Sequence, residues 1–129
     1  MSGKSDYLGD KVLDHVLGVA SYTAPANLYI GLFTSSPGDD GSGTEVSGGS
    51  YARKLITFAA ASGNQSANSN EITFDDPTGD WGTITHHAIY DASSGGNQLY
   101  DGEMQPAVVI DNGDDALVLA IGTVTITEE

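Results

Sequence analysis

Apolar residues near the start of the chain recur at helical spacing. Leu8, Val12, Val16 and Val19 follow one another at steps of three and four, while Asp10 and Asp14 fall on the polar side. Ser5 and Asp6 stand where a helix cap belongs, and Gly18 is a natural stop. Acidic residues early in the segment suit the positive end of a helix. The pattern predicts one short helix within an N-terminal arm spanning residues 1–22.

Beyond Pro25 the period changes from that of a helix to that of a strand. In LYIGLF, Leu28, Ile30 and Leu32 fall on one face and Tyr29 and Phe33 on the other, so the strand is apolar on both sides. Further strands are predicted over 51–58, 71–74, 83–91, 98–104, 107–111, 116–121 and 123–127. The last of these, TVTIT, alternates as a strand with one exposed face should. Asn112-Gly113 is a hairpin signal between the sixth strand and the next.

Two linkers interrupt the pattern. Residues 35–50 (SSPGDDGSGTEVSGGS) form a long, acidic, Gly/Ser-rich loop, and residues 59–70 (AAASGNQSANSN) are small and polar. Loops of such length in a small domain carry function or lack fixed structure. One helix followed by many short strands implies a mainly β fold: a jelly-roll-like antiparallel β-sandwich with a short N-terminal α-helix. At 129 residues the chain fits one domain over 1–129, burying roughly two-thirds of its unfolded surface.

Charge narrows the partners. Eighteen acidic residues face four cations, Lys4, Lys11, Arg53 and Lys54, for a formal charge of −14. Such a surface is repelled by nucleic acid and by anionic membranes, so neither is expected as a partner. No apolar run approaches the ~18 residues that span a bilayer, and MSGKSDY has no signal-peptide core. With no cysteine, disulfides and Cys-based zinc sites are excluded.

Candidate chemistry is thin. His86 and His87 are neighbours on a strand and point to opposite faces, so they cannot chelate one ion together. Alternation places His87 with Thr85, Ile89 and Asp91, and His86 with Ile84, Ala88 and Tyr90. His87 and Asp91 lie two strand steps apart, roughly 13 Å. His15 has no helical partner at the spacing of a zinc motif. The acidic runs 39–45 and 111–115 lack the ligand order of an EF-hand and read as turns. Asp75, Asp76 and Asp80 beside Trp81 would suit a paired-carboxylate hydrolase only at separations a sequence does not give. No cofactor, metal ligand or catalytic residue is assigned, and the chain is expected not to be an enzyme. Trp81, Tyr90 and Tyr100 leave open a sugar-stacking platform, against ordinary core and interface packing.

Several stretches resemble small virion structural proteins of tailed bacteriophages. They are YLGDKVLDHVLG (7–18), LYIGLFT (28–34), GTEVSGGSYAR (43–53) and WGTITHHAIYDASSGGN (81–97), which cover most of the chain in order. The resemblance implies a structural protein of the virion, in a family that labels its members tail-fibre, minor structural or capsid cement proteins. It brings no catalytic residues with it.

A compact, acidic chain without elongated repeats fits a knob on a larger lattice. The expectation is therefore a capsid decoration or cement protein on the capsid exterior, assembled in the host cytoplasm. Its expected partners are the major capsid protein and itself, as a homotrimer at local threefold sites. Tyr51, Arg53, Lys54, Trp81 and His87 are the interface candidates, with Arg53 and Lys54 meeting an acidic surface and the 35–50 loop ordering against neighbours. The alternatives are a tail-fibre or baseplate component and, in another class, a carbohydrate-binding module for host adsorption.

Overall fold

The computed structural model describes residues 3–128. A two-residue strand β1 (Gly3–Lys4) leads into helix α1 (Asp6–Val16). Ser5 caps the helix: its Oγ accepts the Leu8 N–H at 3.1 Å and donates to the Gln98 carbonyl at 2.5 Å. Leu17 closes the helix, and Gly18 follows at φ +78°, a conformation that glycine takes without strain. Of the apolar stripe, Leu8 is buried against the fold and Val12 is partly buried, whereas Val16 and Val19, like Leu13 and Leu17 beside them, are more than half exposed. The helix is thus docked by its first turn and free at its far end.

The remaining elements are strands: β2 (Leu28–Phe33), β3 (Lys54–Ile56), β4 (Gln65–Ala67), β5 (Ile72–Thr73), β6 (Gly82–Tyr90), β7 (Gln98–Ile110), β8 (Val118–Leu119) and β9 (Thr125–Thr127). Five of them form one antiparallel sheet in the order β1-β7-β6-β2-β3. The facing layer is two separate ladders, β4-β9 and β5-β8. Main-sheet residues Ile30, Leu32, Ile56, Ile84 and Ile89 share one core with Ile72, Phe74, Leu119, Val124 and Ile126 from the second layer. On the opposite face of β2 and β6, Phe33, Ala88 and Tyr90 form a smaller cluster, with the Phe33 and Tyr90 rings stacked at 6.3 Å. The fold is mainly β and antiparallel with one short N-terminal helix, as the sequence pattern predicts.

Three details depart from that pattern. Residues 98–110 form one strand rather than two. It carries a large irregular bulge: Ile84 pairs with Val108 and His86 with Glu103, so residues 104–107 oppose Thr85 alone. The bulge resets alternation in β6, and Ile84 and Ile89 consequently lie in the same core although simple alternation separates them. The Asn112-Gly113 turn forms, with Gly113 at φ +86°, but it joins β7 to a strand of the other layer and makes no hairpin.

The polar 59–70 segment is also more structured than its composition suggests. It contributes β4, paired with β9 at Gln65–Thr127, Ser66–Ile126 and Ala67–Thr125. Next to it, Asn68 is buried and fully engaged. Its Nδ2 donates to the carbonyls of Asn70 (2.8 Å) and Ala120 (3.1 Å), and its Oδ1 accepts the Val124 N–H (2.9 Å). A buried amide satisfied on both sides fixes residues 68–70 and 120–124 to one another.

Candidate functional site

The five predicted interface residues fall into three places. Tyr51, Arg53 and Trp81 cluster around Glu45, which belongs to the 35–50 loop. Arg53 forms a bidentate pair with Glu45, Nε to Oε2 at 2.8 Å and Nη2 to Oε1 at 2.9 Å. Its Nη1 donates to the carbonyls of Ala92 (3.0 Å) and Gly95 (2.8 Å), and its guanidinium lies 3.6 Å from the centre of the Tyr90 ring. Every face of the group is used, and the side chain is only 8% exposed. Arg53 therefore ties the 35–50 loop to the 91–97 loop across the outer face of the main sheet.

Tyr51 completes this strap. Its hydroxyl donates to Glu45 Oε2 at 2.7 Å and accepts the Leu32 N–H at 2.8 Å. Burial, then the hydrogen bond to Glu45, pushes the phenol well above its ordinary pKa. Trp81 packs edge-on to Tyr51 at 5.4 Å, and its indole N–H donates to the Gly49 carbonyl at 2.9 Å. Val46 enters the core, and its N–H bonds the Leu32 carbonyl at 3.0 Å. The long acidic loop is thus ordered by its own chain, where the sequence suggested order supplied by neighbours. No sequence signal pairs Glu45 with Arg53; the loop's composition hid it.

Lys54 lies apart from this cluster and pairs with Asp75 at 2.9 Å. Although adjacent in sequence, Arg53 and Lys54 do not form one cationic patch, since each is matched by its own carboxylate.

His87 occupies a third place, the wall of a cleft of about 720 Å³ between the β7 bulge and the second layer. Met104, Pro106, Val108, Leu117, Leu119 and Val124 supply much of the lining. His87 is 7% exposed, and its Nδ1 has no hydrogen-bond partner among the described residues. Burial, and secondarily His86, lowers its pKa from 6.5 to about 4, so the ring is neutral at neutral pH. The neutral ring is packed within the fold, against Gly102 of β7.

The other sequence candidates are dispersed. Trp81 and Tyr90 are buried, and the Tyr100 hydroxyl donates to Glu128 Oε2 at 2.8 Å, so these three rings make no exposed platform. Acidic turn residues bond backbone: Asp40 accepts the Ser42 N–H (3.1 Å) and Asp114 that of Asp111 (2.8 Å) within their own turns, and Asp80 accepts that of Asn112 (2.8 Å) from another loop. Among the described residues no group of three or more His, Asp or Glu side chains could hold a metal ion. No helix among them is long and apolar enough to cross a membrane.

Residues 3–127 match the family described as "Podophage GP4 fiber I protein gp80". No curated protein matches the chain. Because the family match runs through the helix, both layers of the sandwich and the loop strap, the chain belongs to this family of phage fibre proteins and is a structural protein of the virion.

Proposed function

We propose that the protein is a non-enzymatic component of a phage tail fibre. The observation that carries this reading is the family match over residues 3–127, whose description names a fibre. The capsid-exterior position and the major capsid protein as partner, expected from compactness and acidity, have no comparable support. The fibre alternative is therefore preferred to cement.

Self-association, expected as a trimer, remains part of the reading. Leu13, Val16, Leu17 and Val19 leave an apolar helix end in solvent, and this end is the proposed contact surface. A second copy is the proposed occupant, because most assemblies of one chain close by symmetry. The test is the copy number of the chain in purified tails and purified heads, by quantitative mass spectrometry. Copies confined to tails support the fibre reading, and hundreds of copies confined to heads overturn it in favour of cement.

A further inference from the structure

A second concave surface is distinct from the His87 cleft and borders the strap at the 91–97 loop. Tyr7 on the first turn of α1, Tyr22 in the linker and Tyr29 near the start of β2 line a groove of about 470 Å³. Pro25, Asn27 and Asp91 complete the wall. The three rings come from three different elements, and the fold brings them together. All three tyrosines and Asp91 are partly exposed.

The groove is held in shape from both sides. The Tyr22 N–H donates to His15 Nδ1 at 3.2 Å, which ties the linker back to the helix. Asn97 orients the Asp91 carboxylate: its backbone N–H donates to Oδ1 at 2.8 Å and its side-chain Nδ2 to Oδ2 at 3.0 Å. Each carboxylate oxygen keeps lone-pair capacity for a further donor. The Tyr22 phenol is raised above its ordinary pKa by burial, then by Tyr7 and by Asp91. The two hydroxyls and the carboxylate therefore share one neighbourhood.

We infer that this groove binds an uncharged pyranose glycan. Aromatic faces pack against the C–H face of a sugar ring while polar tips stay wet, which is what partly exposed tyrosines supply. A fixed carboxylate and the Asn27 amide can bond neighbouring sugar hydroxyls, and a few placed polar groups set orientation in a ligand groove. Charge selects among glycans: at −14 the chain repels polyanions, so a neutral polymer is favoured over an acidic one. That the glycan is a host-surface polysaccharide rests on the fibre reading; the binding itself rests on the groove.

The experiment uses the full chain and neutral polysaccharide extracted from the surface of a susceptible host strain, with binding followed by calorimetry. Saturable binding is expected, at least about tenfold weaker in Tyr22→Ala, weakened in Asp91→Asn, and not displaced by an anionic polysaccharide. Tyr22 sits in the linker, outside the core, so its variant retains the fold; unchanged Trp81 emission checks this. Tyr29→Ala serves as a second variant from the sheet side. Absence of saturable binding by the wild type overturns the inference, as does binding that survives both tyrosine substitutions. A head location with intact groove binding would remove the fibre reading and leave the glycan site standing. A tail location without binding would do the reverse.

Discussion

The imidazole of His87 lies against the backbone of Gly102, the residue directly opposite it on β7. A Cβ placed at position 102 would stand 2.7 Å from Cε1 of that ring. Gly102 does not have a left-handed φ, so contact alone explains the need for glycine. Gly102→Ala is expected to cost about 1–3 kcal/mol through overpacking. In a double-mutant cycle with His87→Ala, the pair should be less destabilised than the sum of the singles. Urea unfolding of the four proteins measures this, and additive costs would show that the contact is not the cause.

His87 also makes stability depend on pH in a defined window. Its folded pKa of about 4 lies below the unfolded value of 6.5. Between these values the unfolded chain binds more protons, so stability falls as the pH drops from 6.5 towards 4. The loss attributable to this group is at most about 3 kcal/mol. Asp101 acts in the opposite sense, because burial and then Asp39 raise its pKa. The comparison is therefore between wild type and His87→Gln, whose difference in stability should shrink or change sign as the pH falls through the window. A difference independent of pH would count against a buried neutral imidazole.

Breaking the loop strap should be among the costliest single changes. Arg53→Ala leaves Glu45 without its cation and uncovers the carbonyls of Ala92 and Gly95, at an expected cost of about 3–5 kcal/mol. Arg53→Lys keeps the charge but loses the fork and the stacking on Tyr90, and should recover only part of that loss. Limited proteolysis within residues 35–50 gives a second readout. Wild-type resistance in Arg53→Ala would mean that the strap does not order the loop.

The exposed helix end should behave in the opposite way. Leu17→Asp changes a side chain already in solvent, so monomer stability should fall by no more than about 1 kcal/mol, the cost of a carboxylate at the negative end of the helix. Sedimentation of the wild type is expected to show an oligomer, and that of Leu17→Asp a smaller species. Identical sedimentation of the two would take this surface out of assembly.

Much of the fold is legible where the determining interactions are local. Ser5, Leu8 and Gly18 announce the helix because caps and stops act over a few residues. The alternation in 28–33 announces β2 because one strand's two faces are written in consecutive positions. What the sequence conceals is non-local. The segment around Ser66 has poor strand composition and becomes β4 only through its pairing with β9, about sixty positions away. Glu45 lies among glycines and serines and gains its role from Arg53 and Tyr51. Tyr7, Tyr22 and Tyr29 share no spacing that signals a groove, whereas the aromatics that did attract notice, Trp81 and Tyr90, are buried.

The two ends of the described chain meet on one side of the sandwich. Lys4 pairs with Glu128, which also accepts the Tyr100 hydroxyl, and β1 contributes only two paired residues to its sheet. Tension applied between these ends would not stretch the domain along its length. It would open the ion pair first, then peel away β1 and β9 rung by rung, the mode in which hydrogen bonds yield singly rather than together. A particle that loads this protein mechanically is therefore better served by gripping it through its sides than by pulling on its ends.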